Sequence, residues 1–204
     1  MQLQELRPRL WRWTVRHPEA VTSAVPESTA NWGPDVGCVA FAASDALVFV
    51  DPLVPAPDEG LWNELDELVA AYGPRVTVLT TLRWHRRSRD DVAARYGAST
   101  SRARTALPGG VETFVVPLAG ETMVWLPAPR ALVPGDRLLG DRNGGLRLCP
   151  ESWLRYLPSK ISRVELALAL RPLLELPVEL VLVSHGEPVL ERGSDALAAA
   201  LAVT

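Results

Sequence analysis

The stretch that most constrains the fold is residues 76–91, VTVLTTLRWHRRSRDD. A short apolar run (Val76, Val78, Leu79) passes into a polar loop and then into a helix start. Ser88, followed three residues later by Asp91, has the form of a capping box, and Gly97 after Tyr96 closes the helix. Strand, loop and helix in that order put the loop at the carboxyl end of a strand, where α/β proteins place their chemistry. His85 sits in this loop among Arg83, Arg86, Arg87 and Arg89. Taken alone, such a segment reads as a solvated basic rim with one histidine. Its weight depends on what the rest of the chain delivers to neighbouring strand ends.

At 204 residues the chain fits one domain, residues 1–204, with enough apolar residues (48%) for a real core. The net charge of −3 argues against nucleic acid and anionic membranes as partners, and the seven tryptophans are not interleaved with the arginines. The local cluster from Arg83 to Arg104 reads as a charged rim or as a site for an anionic ligand. Cys38 and Cys149 have no zinc-knuckle spacing and read as free thiols in a reducing compartment, one in a strand and one before a helix. No apolar run approaches the length of a membrane span, and residues Leu3, Leu6 and Leu10 are too interrupted for a signal peptide, so the expected location is cytoplasmic.

Along the chain, Trp11, Trp13 and Val15 alternate with polar residues as in a half-buried strand. The strand stops at His17-Pro18, and His17 is expected at the surface. Residues 26–34 form a loop rich in turn residues. Residues 37–43 and 46–50, separated by Ser44-Asp45, read as a tight hairpin that ends in Val50-Asp51-Pro52. Asp58 caps a helix whose apolar face is Leu61, Leu65, Leu68, Val69 and Tyr72, and Gly73-Pro74 stops it. Residues 111–116 and 121–126 are paired strands. Residues 131–133 form a strand ending in Pro134-Gly135-Asp136, and residues 141–145 a loop. A short helix spans residues 150–156. Ser159 or Ser162 opens a longer one with Val164, Leu168 and Leu173 on its apolar face. Residues 180–183 read as a strand buried on both faces, delivering Ser184-His185-Gly186, and a last helix near residues 191–202 buries Leu197, Ala200 and Leu201.

Asp51, His85, Asp136 and His185 therefore each lie just past a predicted strand, in four separate parts of the chain. Two imidazoles and two carboxylates at one sheet edge suit Zn²⁺, Mn²⁺ or Fe. The same groups also suit acid–base chemistry, with a carboxylate orienting an imidazole, or service as turn residues.

Over residues 10–202 the sequence resembles the metallo-β-lactamase superfamily. The resemblance rests on the early hairpin ending in Val50-Asp51-Pro52, the strand–loop–helix through His85, and the segment from Pro117 to Pro127. Two later segments, Pro134-Gly135-Asp136 and Ser184-His185-Gly186, look like the family's Gly-Asp and Gly-His-Gly ligand motifs. It implies an α+β fold, a four-layer αββα sandwich with the site at one edge of its two sheets. Self-association of several members makes a homodimer an implied expectation.

The departures bear on function. The family's Thr-His-x-His-x-Asp-His loop corresponds to Thr80-Thr-Leu-Arg-Trp-His85-Arg-Arg-Ser-Arg-Asp-Asp91, which keeps one histidine, and no histidine falls near residues 117–121. A dinuclear site is therefore not expected. The expected protein is a divergent, non-catalytic member with a small-molecule-binding or structural role. The alternative is a mononuclear metal-dependent hydrolase with His85, Asp136 and His185 as ligands for one Zn, Mn or Fe ion, with His85 also the catalytic candidate. Glu121, Asp90 and Asp91 are the reserve ligands. Asp51, Arg83, Arg86 and Arg87 are the candidate substrate-binding residues, the arginines suiting a small anionic ligand.

Overall fold

The structure, a computed structural model, describes residues 3–21, 23, 25, 28, 31–101, 107–141 and 143–202. Parts of the predicted loop at residues 26–34, Arg142 in the loop at 141–145, and Arg102 and Arg104 in the arginine cluster lie outside them.

The first half of the chain builds a six-stranded sheet in the order β1 (Gln4–Arg7), β2 (Leu10–Arg16), β3 (Asp35–Ala42), β4 (Leu47–Val50), β5 (Val76–Leu79) and β6 (Ser99–Ser101). The alternation in β2 is real: Trp11, Trp13 and Val15 point to one face and are buried, while Thr14 and Arg16 are exposed. β3 and β4 form the expected hairpin around Ser44-Asp45. After β4 the chain crosses through α1 (Glu59–Tyr72) to β5, and through α2 (Arg89–Tyr96) to β6; both pairings are parallel. Asp58 caps α1 by accepting a hydrogen bond from the Leu61 amide at 3.0 Å.

Ser88 departs from expectation. It stands at the start of α2, but its hydroxyl accepts from the Val54 amide at 2.9 Å and donates to the Val54 carbonyl at 3.2 Å. The loop after β4 outcompetes the helix for this side chain, and no capping box forms.

The second half contributes a four-stranded sheet in the order β12 (Leu180–Val181), β9 (Ala131–Val133), β8 (Glu121–Leu126) and β7 (Glu112–Val116). A small hairpin, β10 (Leu138–Gly140) and β11 (Leu146–Leu148), went unread in the sequence because each arm is only three residues long. α3 (Glu151–Leu154), α4 (Arg163–Leu170) and α5 (Gly193–Leu201) cover this half. Ser162, not Ser159, opens α4, in a capping box with Glu165. The α4 face is the opposite of the one expected: Leu166, Ala167 and Leu170 are buried, while Val164 and Leu168 are exposed. The helix is apolar nearly all round, so spacing alone could not choose its face. Leu173 is buried, but in the 3₁₀ turn that follows.

Three buried clusters define four layers. One lies between the two sheets, joining Val39, Phe41, Val48 and Leu79 to Val124, Leu126, Val133 and Leu182. A second packs α1 and α2 on the outer face of the large sheet through Leu61, Leu65 and Val92. The third packs α3, α4 and α5 on the outer face of the small sheet. The result is the expected αββα sandwich. No helix among the described residues is long and apolar enough to cross a membrane.

Candidate metal centre

Four loops meet at one end of the sandwich. The loop after β4 carries Asp51, that after β5 carries His85, that after β9 carries Asp136, and that after β12 carries His185. All four residues are buried.

Asp51 takes a left-handed backbone conformation (φ 48°), which Asp tolerates better than most residues. Its Oδ1 accepts from the Thr81 amide at 2.8 Å, and its Oδ2 accepts from the Thr81 hydroxyl and from His85 Nδ1, the latter at 2.8 Å. This fixes the His85 ring, with Nδ1–H on the carboxylate and Nε2 aimed away from it. Nε2 lies 3.0 Å from Asp136 Oδ1, and His185 Nε2 lies 3.3 Å from that same oxygen. Neither contact has hydrogen-bond geometry, so Asp136 Oδ1 is a buried oxygen with no hydrogen bond among the described residues. The other carboxylate oxygen, Oδ2, is held at 2.8 Å by the indole N–H of Trp84.

These distances fit a shared ion. A tetrahedral site with metal–ligand bonds of 2.0–2.1 Å has ligand–ligand edges of about 3.3 Å. One ligand atom from each of His85, Asp136 and His185 lies within 4.8 Å of the other two. A carboxylate orienting the far nitrogen of a ligating histidine is the usual outer support of such a site, and Asp51 supplies it for His85. His185 lacks the equivalent among the described residues: its Nδ1 is buried without a partner there, and its ring lies edge-on to Trp32 and Trp153.

Electrostatics follow from the carboxylates. Burial alone would lower the His85 pKa, but Asp136 and Asp51 outweigh burial and the opposing Arg87, raising it to about 9. Burial would raise the Asp136 pKa, yet the two histidines hold it well below the usual carboxylate range. His185 is lowered, chiefly by burial, with Asp136 only partly offsetting this.

Glu121 is placed differently from the reserve-ligand expectation. Its carboxylate accepts from the amides of Gly135, Asp136 and Arg137 at 3.0, 2.9 and 3.0 Å, which shapes the loop that presents Asp136. Burial raises its pKa to about 7. Gly135 has no room for a side chain there, since a Cβ would fall 2.7 Å from Thr81 Oγ1. The His185 loop is set by a similar close approach: Gly140 N donates to the His185 carbonyl at 2.9 Å, and Gly186 (φ 86°) lies against Gly140. Exposed Asp90 pairs with exposed Arg86 and half-buried Arg89, and Asp91 is exposed in the first turn of α2.

A cavity of about 430 Å³ opens onto the three residues. Of the candidate substrate-binding residues, Arg83 and Arg87 line it. Arg86 does not, because it turns outward to Asp90 at 2.8 Å. Asp51 does not either, because its carboxylate is taken up by Thr81 and His85. Arg87 also works as a clamp, donating to the Gly37 and Asp51 carbonyls at 3.2 and 2.9 Å and to Ser184 Oγ at 3.1 Å. His17, expected at the surface, is half-buried in the cavity wall with its ring 5.1 Å from Trp32. Sequence reasoning missed Thr81, Trp84, Arg137 and Trp153. The one sequence signal was adjacency: Trp84 precedes His85 and Arg137 follows Asp136.

No protein-family model matches the sequence, and no curated protein does. Solved structures are similar over nearly the whole chain. A metallo-β-lactamase from Pontibacter korlensis is 14% identical with a TM-score of 0.59, covering 98% of this chain and 96% of that one. A metallo-β-lactamase from Erythrobacter litoralis is 12% identical with a TM-score of 0.60, covering 98% and 89%. A metallo-β-lactamase family protein from Thermus thermophilus is 15% identical with a TM-score of 0.54, covering 96% and 79%. The chain has the metallo-β-lactamase fold.

Proposed function

We propose that this metallo-β-lactamase-fold protein holds one divalent cation on His85, Asp136 and His185 and hydrolyses a small molecule bound in the adjoining cavity. The observation that carries this reading is Asp136 Oδ1, a buried carboxylate oxygen set between two imidazole nitrogens and hydrogen-bonded to neither. Three protein ligands leave a coordination position open, which is the arrangement of catalytic rather than structural sites. A divalent cation there supplies Lewis acidity and lowers the pKa of water. The chain's own residues do the rest: Asp51 fixes the His85 tautomer, Trp84 orients Asp136, and Glu121 holds the loop between them. Arg87 puts positive charge beside the site, which disfavours a second cation and agrees with the missing histidines of the dinuclear motif.

The second reading, a non-catalytic protein, is favoured by one specific observation. Two carboxylates already flank His85 and sustain it as an imidazolium, so the triad can stand as a buried ion-pair network. Cobalt substitution separates the two. Under the proposed function, metal-stripped protein titrated with Co²⁺ develops the intense visible bands of a low-coordinate site at one equivalent, and Asp136→Ala abolishes them. A spectrum no stronger than that of aqueous Co²⁺ favours the ion-pair network.

A further inference from the structure

The walls of the cavity are more particular than its floor. Three of the protein's seven tryptophans line it, Trp32, Trp84 and Trp153, together with Tyr156. Trp84 and Tyr156 are 50% and 78% exposed, so both rings keep solvent-facing surface at the cavity. Trp32 and Trp153 both approach the His185 ring, at 5.3 and 6.2 Å between centroids. An aromatic-lined space of this volume matches a drug-sized planar molecule.

Charge narrows the class further. The lining includes Arg83, Arg87 and Arg137, against the carboxylates of Glu19 and Asp136, and Asp136 is already committed to the two histidines. Arg83 makes no hydrogen bond or ion pair among the described residues, and it is exposed. Arg137 adds buried positive charge. Its side chain is 1% exposed, Nε donates to the Ala119 carbonyl at 3.2 Å and Nη1 to Cys149 Sγ at 3.9 Å, but Nη2 is buried with no partner among the described residues. Its nearest carboxylate, Glu121, is 3.9 Å from Nε and already accepts three backbone amides. The Trp84 ring covers this guanidinium, 5.7 Å from Cζ to the ring centroid. Sealed beneath Trp84, this guanidinium adds positive charge to the cavity wall, and the exposed Arg83 supplies the charge-assisted hydrogen bonds to a bound anion.

We infer that the cavity takes a planar aromatic monoanion, its ring among Trp32, Trp84, Trp153 and Tyr156 and its carboxylate on Arg83, in the positive field to which Arg137 adds. This rests on the proposed function only in taking the cavity as the working site; it requires no bound cation.

The test is isothermal titration calorimetry with 1-naphthoate, its neutral counterpart 1-naphthamide, and the non-aromatic cyclohexanecarboxylate, on metal-stripped and on Zn²⁺-loaded protein. The expected result is one naphthoate per chain in both forms, at least tenfold tighter than either analogue. Arg83→Gln should lower naphthoate affinity about fivefold and leave naphthamide unchanged, and Trp153→Ala should weaken both aromatic probes. Equal affinity for naphthoate and naphthamide, equal affinity for the non-aromatic acid, or no binding to either form up to millimolar concentration overturns the inference. So does binding confined to Zn²⁺-loaded protein and indifferent to Arg83→Gln, which assigns the carboxylate to the cation. A protein that retains Zn²⁺ but binds no probe loses this inference and keeps the proposed function; one that binds naphthoate but no metal does the reverse.

Discussion

The two histidines of the site are held in opposite ways. His85 is fixed through hydrogen bonds: Asp51 accepts from its Nδ1–H, Thr81 braces Asp51, and Arg87 braces the Asp51 backbone. His185 is fixed by packing, with Trp32 and Trp153 against its ring and Gly140 beneath its loop, while its Nδ1 has no partner among the described residues. Asp136 joins the two sides. The difference teaches where specificity lies. The His85 side is preorganised for a fixed charge, and the His185 side opens directly onto aromatic surface where a ligand ring can be met.

The largest effect is expected from cutting the joint. Asp136→Ala takes from the buried His85 imidazolium one of its two carboxylates and from Trp84 and His185 a polar partner, and removing one partner of a buried pair typically costs about 3–5 kcal/mol. Metal-free Asp136→Ala protein should therefore lose about that much stability in urea unfolding. A loss below about 1 kcal/mol would mean that the two sides are not joined through this carboxylate.

Next in size is the pH dependence of metal-free protein. The folded His85 pKa, about 9, lies above the unfolded value of 6.5, so the folded state binds the proton more tightly. The stabilisation is fully present below pH 6.5 and is lost as pH rises through 9. At about 1.4 kcal/mol per pKa unit it amounts to about 3 kcal/mol. Glu121 acts in a separate window: its folded pKa, about 7, is raised above 4.5, so its contribution falls between those values. Unfolding curves across pH 6.5–9 should flatten in His85→Gln and keep their slope in Glu121→Gln. The same slope in His85→Gln as in wild type would sink the assignment.

A smaller effect sharpens the contrast between the sides. Asp51→Asn keeps the shape but loses the carboxylate behind His85, and Zn²⁺ affinity in a competition assay should weaken about 10- to 100-fold. Trp153→Phe, on the His185 side, should leave it within about threefold. If the two substitutions weaken Zn²⁺ equally, the asymmetry described above is wrong. Smallest of all is Arg86→Ala. The residue pairs with exposed Asp90 outside the cavity, so Tm should move by less than about 1 °C and naphthoate binding should be unchanged.

Much of this arrangement was legible in the sequence, and the reason is local. Asp51, His85, Asp136 and His185 each follow a strand that its own pattern announces: the Ser44-Asp45 hairpin, the Val76–Leu79 run, the strand before Pro134, and the apolar run before Ser184. Strand ends of one sandwich edge converge, so the four were expected together, and they are. The supports were not legible, because they are set by contacts distant in sequence. Glu121 serves amides 14 to 16 residues away, and Thr81 braces Asp51 across 30. Arg137 and Trp84 meet only once both loops are folded. The α4 face failed for a different reason, an apolar pattern with no polar stripe to break the tie.

The central claim, three ligands for one cation, is tested most directly by elemental analysis of tag-free protein by plasma mass spectrometry after loading with Zn²⁺ or Mn²⁺ and exhaustive dialysis, alongside His85→Ala and His185→Ala. The account predicts about one equivalent of metal per chain in the wild type, the stoichiometry of a three-ligand mononuclear site, and a loss of most of it in either variant. Less than about a tenth of an equivalent in the wild type, or an equivalent retained by both variants, would contradict it.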